Sequence, residues 1–435
     1  MGDSDWLVSK TSSRVIAYMR IIDLFSGAGG LTFGFYYRLW KKGFVYNRKN
    51  QFVFANEFDS EAACAFLANY PNIPMLNCDI KVIDEKKIVE LTKGIPVDII
   101  IGGPPCQSFS TAGQRQFDDK AKLYEEYFRI LEIVHPKMFL FENVKGLLSM
   151  REVFYKEDEN GNIVYKSTDY PGKTSLKKRK RPVVDHYGDN IFVKITARLE
   201  HLGYKVYYET LNAVNYGVPE NRERVFIIGV DNTIHTKWIF PPKKDAPPIS
   251  IMDAISDLPE LAEGEQKTEY EADSQTAYQE LMRSGCNQLS QHYCGIYGDK
   301  IRTVIKNVKQ GQGRDDFNKL IIDGVVDEKY KLTSGYKNTY GRLVESLPCP
   351  TITNNLSTPS GLRCIHYAQN RALSPREGAR IQSFPDWYSF SGGKDKVTSQ
   401  IGNAVPPLLS LAMARQIESF LKKVESEKDV NDEQF

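Results

Sequence analysis

No window of the chain holds the roughly 18 uninterrupted apolar residues that a membrane-spanning helix needs, so a soluble protein is expected. Cysteine is scarce. There are seven, none in C-x-x-C spacing and none with companion histidines, which argues against a disulfide framework and a zinc site. The six histidines form no cluster, and no metal is expected. The opening MGDSDWLVSKTSSR is polar and carries Asp3 and Asp5, unlike a secretory signal, so a reducing, cytoplasmic setting is expected. An excess of one charge is also missing: 57 Lys and Arg against 55 Asp and Glu leave +2, so any polyanion-binding surface must be local. Internal repeats are absent. The apolar share of 41% and charged share of 26% exclude collagen-like, coiled-coil and wholly disordered chains. At 435 residues, two or three domains are expected.

What is present in the first half is an alternation of apolar runs and helical patterns. Arg20–Phe25, Gln51–Ala55, Val97–Ile101 and Lys137–Phe141 read as buried strands, with helices expected over Leu31–Trp40 and Lys122–Val134. That rhythm implies βαβ units and a doubly wound, mostly parallel α/β sheet, with ligand sites at the strand C-termini. Tyr204–Val214 and Arg224–Val230 read as two more strands, and a helix is expected from Ile191. Residues 151–190 break the pattern. They are polar, contain Asn160-Gly161, Pro171-Gly172 and the run Lys177-Lys178-Arg179-Lys180-Arg181, and read as a long inserted loop. Pro241-Pro242 and Pro247-Pro248 mark a linker. Residues 236–300 then carry 6 basic against 11 acidic residues, and 301–370 carry 10 against 6. A last helix is expected over Pro407–Val424, before an acidic, frayed tail.

Asp23-Leu-Phe-Ser-Gly-Ala-Gly-Gly30 sets three glycines at a strand-to-helix turn, where backbone can approach a ligand closely. It is not the dinucleotide fingerprint, because the third glycine position holds Thr32. Glu57 stands after the second strand, suited to ribose hydroxyls, and Asp79 after a further one, suited to an adenine amino group. Each carboxylate alone reads as a solvated loop residue or helix cap; at three successive strand ends they favour a nucleoside site. Gly102-Gly-Pro-Pro-Cys-Gln-Ser-Phe-Ser110 holds Cys106 in a setting of turn and small polar residues, suited to a thiolate nucleophile. The other six cysteines read as small buried hydrophobes. Glu142, at the next strand end, is placed to be kept protonated and to donate to a ring nitrogen. Arg222 and Arg224, two apart at a strand start, share a face and suit clamping of carboxylate or phosphate.

In this order, DLFSGAGG, GGPPCQSFS, ENV, NRERVFIIG, RALSPREGARIQSFP and QIGNAVPP resemble the DNA (cytosine-5)-methyltransferase family of bacterial restriction-modification type, in two blocks, Arg20–Val230 and Arg371–Pro407. The resemblance implies an S-adenosylmethionine-dependent methyltransferase fold with a smaller target-recognition domain. The division expected is 15–235 for the catalytic, cofactor-binding domain, 236–370 for recognition, 371–399 for a supporting hinge, and 400–424 for a helix returning to the catalytic domain. It implies that Phe25 lies against the adenine, with Ser26, Gly27, Gly29 and Phe58 around the cofactor. Glu57 would hold the ribose, Asp79 and Ile80 the adenine edge, and Pro105, Asn403 and Val405 the methionine part. Cys106 is then the nucleophile and Glu142 the partner of cytosine N3. Arg224 would contact the flipped base, and Arg222 would position Glu142 and the DNA backbone. Arg371–Pro385 would support the recognition domain. Three departures stand out: Glu220 where Gln is usual, Cys78 where Gly is usual, and the 151–190 insertion.

The implied partner is double-stranded DNA, bound by a monomer, with a possible cognate restriction endonuclease acting on the same sequence. Gln107 and Ser110 would meet the DNA backbone or the space left by the flipped base. Arg342, Thr351 and the loops Thr333–Arg342 and Thr353–Arg363 are the recognition candidates, and Lys177, Lys178, Arg179, Lys180 and Arg181 are expected to meet phosphates. An RNA (transfer RNA) cytosine-5 methyltransferase could share the catalytic framework, and a catalytically silent DNA-binding relative is the other alternative. The sizeable recognition region favours DNA, and the intact nucleophile and acid favour an enzyme.

Overall fold

The computed structural model describes residues 19–105, 123–159, 163–168, 179–333, 335 and 337–432. Its centre is a seven-stranded sheet built from Met19–Leu24 (β1), Asn50–Asn56 (β2), Met75–Leu76 (β3), Ile99–Gly102 (β4), Met138–Val144 (β5), Tyr204–Asn212 (β6) and Glu223–Asp231 (β7). The order across the sheet is β6-β7-β5-β4-β1-β2-β3. The β1–β2, β1–β4, β4–β5 and β2–β3 pairs are parallel, while β7 runs antiparallel to both β5 and β6. The strands read as near-continuous apolar runs because both faces are covered. Alternation along each strand feeds two separate cores. Ile21, Ile99, Ile101 and Leu140 enter one; Ile22, Ile100, Phe139 and Phe141 enter the other.

Helices Glu85–Thr92, Leu123–Val134 and Ile191–His201 supply Ile88, Phe128 and Ile195 to the second core. Helices Gly30–Tyr36 (α1) and Ser60–Asn69 and the C-terminal helix Pro407–Asp432 supply Phe33, Phe66 and Leu409 to the first. The C-terminal helix therefore runs past its expected end at Val424, and the acidic tail is helical as far as Asp432. Much of the 236–370 region also joins the first core through Ile251, Tyr278, Cys349 and Ile352, whereas Cys294, Val304, Ile305, Phe317 and Leu332 form two small clusters of their own.

Two expectations are corrected. The helix expected over Leu31–Trp40 ends at Tyr36, and Tyr37–Trp40 pairs antiparallel with Gly43–Tyr46. The reason is a change of period: Tyr37 and Leu39 are half-buried while Arg38 and Trp40 are exposed, the alternation of a strand. Nor is 151–190 simply a loop. Arg151–Tyr155 pairs with Val184–Asn190, and Tyr165–Thr168 with Arg179–Pro182. Polar composition misled here because ladder hydrogen bonds, rather than a buried face, hold these strands.

Candidate functional site

The ends of β1, β2 and β3 are laced together. After β1 the backbone turns through left-handed residues Phe25 (φ 58°), Gly27 (φ 56°) and Gly29 (φ 95°) into α1. Gly27 N–H donates to Glu57 Oε2 at 2.8 Å and Asp59 N–H to Glu57 Oε1 at 2.8 Å, so the carboxylate is held by two backbone donors. Burial nevertheless pushes its pKa up. Ser26 N–H donates to the Asn56 carbonyl, and the Asn56 amide donates to the carbonyls of Leu76 (2.9 Å) and Cys78 (3.0 Å). This side chain, which sequence reasoning missed, brings Asp79 and Ile80 beside Glu57. Asp79 caps a short helical turn through Lys81 N–H, and Ile80 is buried, its carbonyl held by Arg129.

The C-terminal segment closes on the same turn. A methyl group on Gly30 would lie 2.5 Å from the Val405 carbonyl. Val405 is buried, while Asn403 is exposed and its amide reaches Ser399. Tyr70 donates to the Gly29 carbonyl and Tyr388 to that of Ala28, clamping the turn from behind. A side chain on Gly27 would meet nothing within 4 Å, so the turn borders open space. Phe25 is half-buried and Phe58 is 74% exposed. A left-handed glycine turn beside open space, with a carboxylate whose remaining lone pairs are available, fits an adenosine ribose and its charged tail.

The second part of the site lies at the ends of β4 and β5. Glu142 is buried, and desolvation raises its pKa despite the guanidinia of Arg224 and Arg222. Arg224 Nε stands 3.1 Å from Glu142 Oε1. Gly103 faces this carboxyl so closely that a methyl group there would lie 2.8 Å from Oε2. The Asn143 amide donates to the Pro104 carbonyl at 3.3 Å, tying the Gly103–Pro105 segment to β5. Neither Gly103 nor Asn143 was singled out from sequence, although both sit inside recognised motifs. Cys106, Gln107, Ser110, Lys177 and Lys178 lie outside the described residues.

Two arginines stand elsewhere than expected. Arg222 is fully buried and donates to the carbonyls of Ile352 (3.0 Å) and Gly402 (2.7 Å), so it cannot reach a DNA backbone, though its charge acts on Glu142. It ties the start of β7 to the segments carrying Ile352 and Gly402. Glu220 lies 3.7 Å from it, accepts from Ile352 N–H at 2.5 Å, and is likewise fully buried. Arg342 is buried and donates to the carbonyls of Ile305, Val308, His366 and Gln369 and to Asn370 Oδ1. It is a structural pin, not a DNA contact. Thr351 is exposed, its hydroxyl on the Asn221 carbonyl. Arg179, Lys180 and Arg181 lie in a strand. Of the six remaining cysteines, Cys64 is exposed and Cys78 and Cys286 half-buried, so only Cys294, Cys349 and Cys364 are the buried hydrophobes expected.

Within 371–386, Arg371 pairs with Glu377, and Arg380 bridges Asp257 and Asp386, all buried. Among the described residues no cluster of three metal-ligating side chains exists, and no helix is long and apolar enough to cross a membrane.

A family profile described as C-5 cytosine-specific DNA methylase matches residues 19–168 and 181–419. The Type II methyltransferase M.DdeI of Desulfomicrobium norvegicum is 32% identical, over 95% of this chain and 92% of its own. M.AgeI of Thalassovita gelatinovora is 31% identical, over 92% and 99% respectively. Among solved structures, one described as an Escherichia coli prophage-encoded DNA modification methyltransferase superposes with a TM-score of 0.65 at 23% identity, over 93% of this chain and 99% of that one. At that identity it speaks to the fold alone.

Proposed function

The chain belongs to the C-5 cytosine-specific DNA methylase family, and from that premise we propose that it methylates C5 of a cytosine flipped out of duplex DNA, through a covalent bond between Cys106 and C6. The observation that carries this reading is the buried Glu142 carboxyl, opposed by Arg224 at 3.1 Å and backed by the Gly103–Pro105 segment that leads to Cys106. S-adenosylmethionine, when bound, supplies an electrophilic methyl group on its sulfonium. Glu57 would hold its ribose, Phe25, Asp79 and Ile80 its adenine, and Pro105, Asn403 and Val405 its methionine part, with Phe58 free to cover it.

Cytosine C5 is a poor nucleophile until the Cys106 thiolate adds to C6 and pushes electron density to C5. Glu142, whose pKa burial raises, would in its protonated form donate to N3 and stabilise the charge that develops on the ring, help typically worth about 10²–10⁴-fold. Arg224 adds fixed positive charge beside it. Once C5 carries the methyl group, loss of its proton to a base and departure of Cys106 restore the aromatic ring. A base stacked in duplex cannot meet these groups, so flipping is required at a cost of a few kcal/mol. Thr351 and the loops 333–342 and 353–363 are proposed to read the target. The protein is proposed to act as a monomer in the cytoplasm, alongside a restriction endonuclease of the same specificity.

Bisulfite sequencing of plasmid DNA incubated with the protein and S-adenosylmethionine tests this. Protected cytosines within one recurring sequence are expected. Methyl transfer to transfer RNA and none to duplex DNA would overturn it.

A further inference from the structure

Between Asp23 and Glu57 the chain has no acidic residue, yet it carries Arg38, Lys41, Lys42, Arg48 and Lys49. All five sit in or just after the hairpin formed by Tyr37–Trp40 and Gly43–Tyr46, and all five are exposed. Lys42 is occupied by Glu280 at 2.8 Å. Arg38 lies over the ring of exposed Trp40, 5.3 Å from its centre. Such stacking holds the planar guanidinium in place without neutralising it.

Arg38 and Lys49 line a cleft of about 200 Å³ together with Arg415, which reaches it from the C-terminal helix. Arg415 is exposed as well, and the charged groups of these three side chains have no hydrogen bond or ion pair among the described residues. Glu418 lines the same cleft but is turned to other partners: its Oε1 accepts from the amides of Asn47 (2.8 Å) and Asn50 (3.0 Å), both buried. Even with Glu418 counted, the lining carries an excess of two positive charges. Partial burial of Lys244, and next the like charge of Arg415, lower the lysine's pKa, so the neighbourhood adds a further cation and no counter-charge. Cations gathered without carboxylates to neutralise them leave a positive potential directed at solvent.

The cleft stands at the far end of the sheet from the proposed catalytic site. Lys49 precedes β2, and its carbonyl accepts from Met19 N–H at the start of β1, whereas the glycine turn follows the other end of that strand. Six residues of strand at roughly 3.3 Å each put on the order of 20 Å between the two. A duplex lying against the strand C-termini therefore leaves the cleft uncovered.

We propose that this cleft grips the phosphate backbone of a second DNA segment, so that one chain holds two duplexes: the target at the strand C-termini and another, of any sequence, behind the sheet. The proposal rests on the duplex-DNA reading above. Two guanidinia and an ammonium suit phosphate oxygens, and phosphate contacts give affinity without reading bases. A polyanion fits better than a small anion, because Lys41 and Arg48, exposed and without ion pairs, continue the positive surface beyond the cleft. DNA is the polyanion that a DNA-acting protein meets at close quarters, with one charge per roughly 1.7 Å of duplex axis.

The test uses the full chain, a short duplex with one target site and a differently labelled duplex without it, followed by sedimentation at low salt. The wild type is expected to carry both labels at one duplex of each kind per chain. Replacing Arg38, Lys49 and Arg415 by Gln should weaken binding of the second duplex at least about 10-fold. It should also lower the slope of log affinity on log salt for that duplex by up to about 2.7, three phosphates at roughly 0.9 each. Methyl transfer to the target duplex alone should stay at the wild-type rate. The variant with Arg38→Lys and Arg415→Lys keeps the charge and should keep the salt slope, which separates loss of charge from damage to the hairpin. One duplex per chain in the wild type, or a second duplex that survives in the Gln variant, would overturn the proposal. So would a polyglutamate peptide that binds through these three residues where duplex does not, which would make the occupant an acidic protein. Absence of methyl transfer to the target duplex, with both duplexes still held, would instead overturn the proposed reaction and leave this surface standing.

Discussion

Position 103 has room for a hydrogen and nothing more. The Glu142 carboxyl occupies the space that a side chain would need, 2.8 Å from where the methyl group of Gly103→Ala would sit. That carboxyl must then shift, and misplacement of a reacting group by about 1 Å can cost on the order of 100-fold in rate. Single-turnover methyl transfer by Gly103→Ala is therefore expected to fall by about that factor while cofactor affinity stays at the wild-type value; parallel loss of both would contradict it. Glu57→Ala addresses the other half of the site. It removes the acceptor for Gly27 and Asp59 N–H together with the proposed ribose contact, so calorimetry should show S-adenosylmethionine bound at least about 10-fold more weakly, the scale of one charged hydrogen bond. Affinity for DNA measured without cofactor should not change. Cys106→Ser should abolish methyl transfer and leave DNA binding, because a hydroxyl is far less ionised than a thiol. Turnover near the wild-type rate would remove Cys106 from the reaction.

Between elements, α1 and the C-terminal helix approach closely. Gly34 lies so near Ser410 that a methyl group would sit 2.3 Å from its carbonyl carbon and oxygen, and the Ser410 hydroxyl itself accepts from Gly34 N–H at 3.1 Å. Overpacking of this kind typically costs about 1–3 kcal/mol. Gly34→Ala should show that loss in urea unfolding and should weaken cofactor binding as well, since the same helix follows Asn403 and Val405. The two buried arginines act at this scale too. Arg342 gathers carbonyls from helix Asp299–Asn307, from the residue after it, and from 366–369, so Arg342→Ala should lower the melting temperature. It should leave the salt dependence of DNA binding as it is, the opposite of what a phosphate contact would give.

Taken whole, the molecule buries carboxyls that burial makes reluctant to ionise, and this gives its stability a pH dependence. Asp23 at the end of β1 is fully buried, accepts from the Thr32 hydroxyl, and is pushed up to about 8, chiefly by desolvation and further by Glu57. In the unfolded chain it ionises near its ordinary value of 3.8. Its favourable contribution is thus complete below that value and is lost as pH rises through about 8, because the native state holds a proton that the unfolded state has released. Glu57, Glu142 and Glu220 shift in the same direction. Unfolding free energy should therefore decline from about pH 5 to about pH 8. Asp23→Asn, which mimics the protonated form, should flatten the decline by up to about 1.4 kcal/mol per pH unit, the effect of one proton. Equal slopes in the two proteins would show that Asp23 is ionised in the native state.

The sequence by itself determined the parallel core of the sheet and the placing of Glu57, Asp79 and Glu142 at its strand ends. A strand covered on both faces must be apolar along its length, and a turn with positive φ favours glycine; both are local demands, written in runs such as Arg20–Phe25 and Gly27–Gly30. Tertiary structure alone decided the rest. Tyr37–Trp40 could have continued α1 until Gly43–Tyr46 offered it a partner. The strand character within 151–190 depends on residues from 11 to 39 positions apart meeting in two ladders, which composition cannot reveal. Arg222 and Arg342 carry the charge of surface residues, and only the folded chain brings enough backbone carbonyls around each guanidinium to bury it.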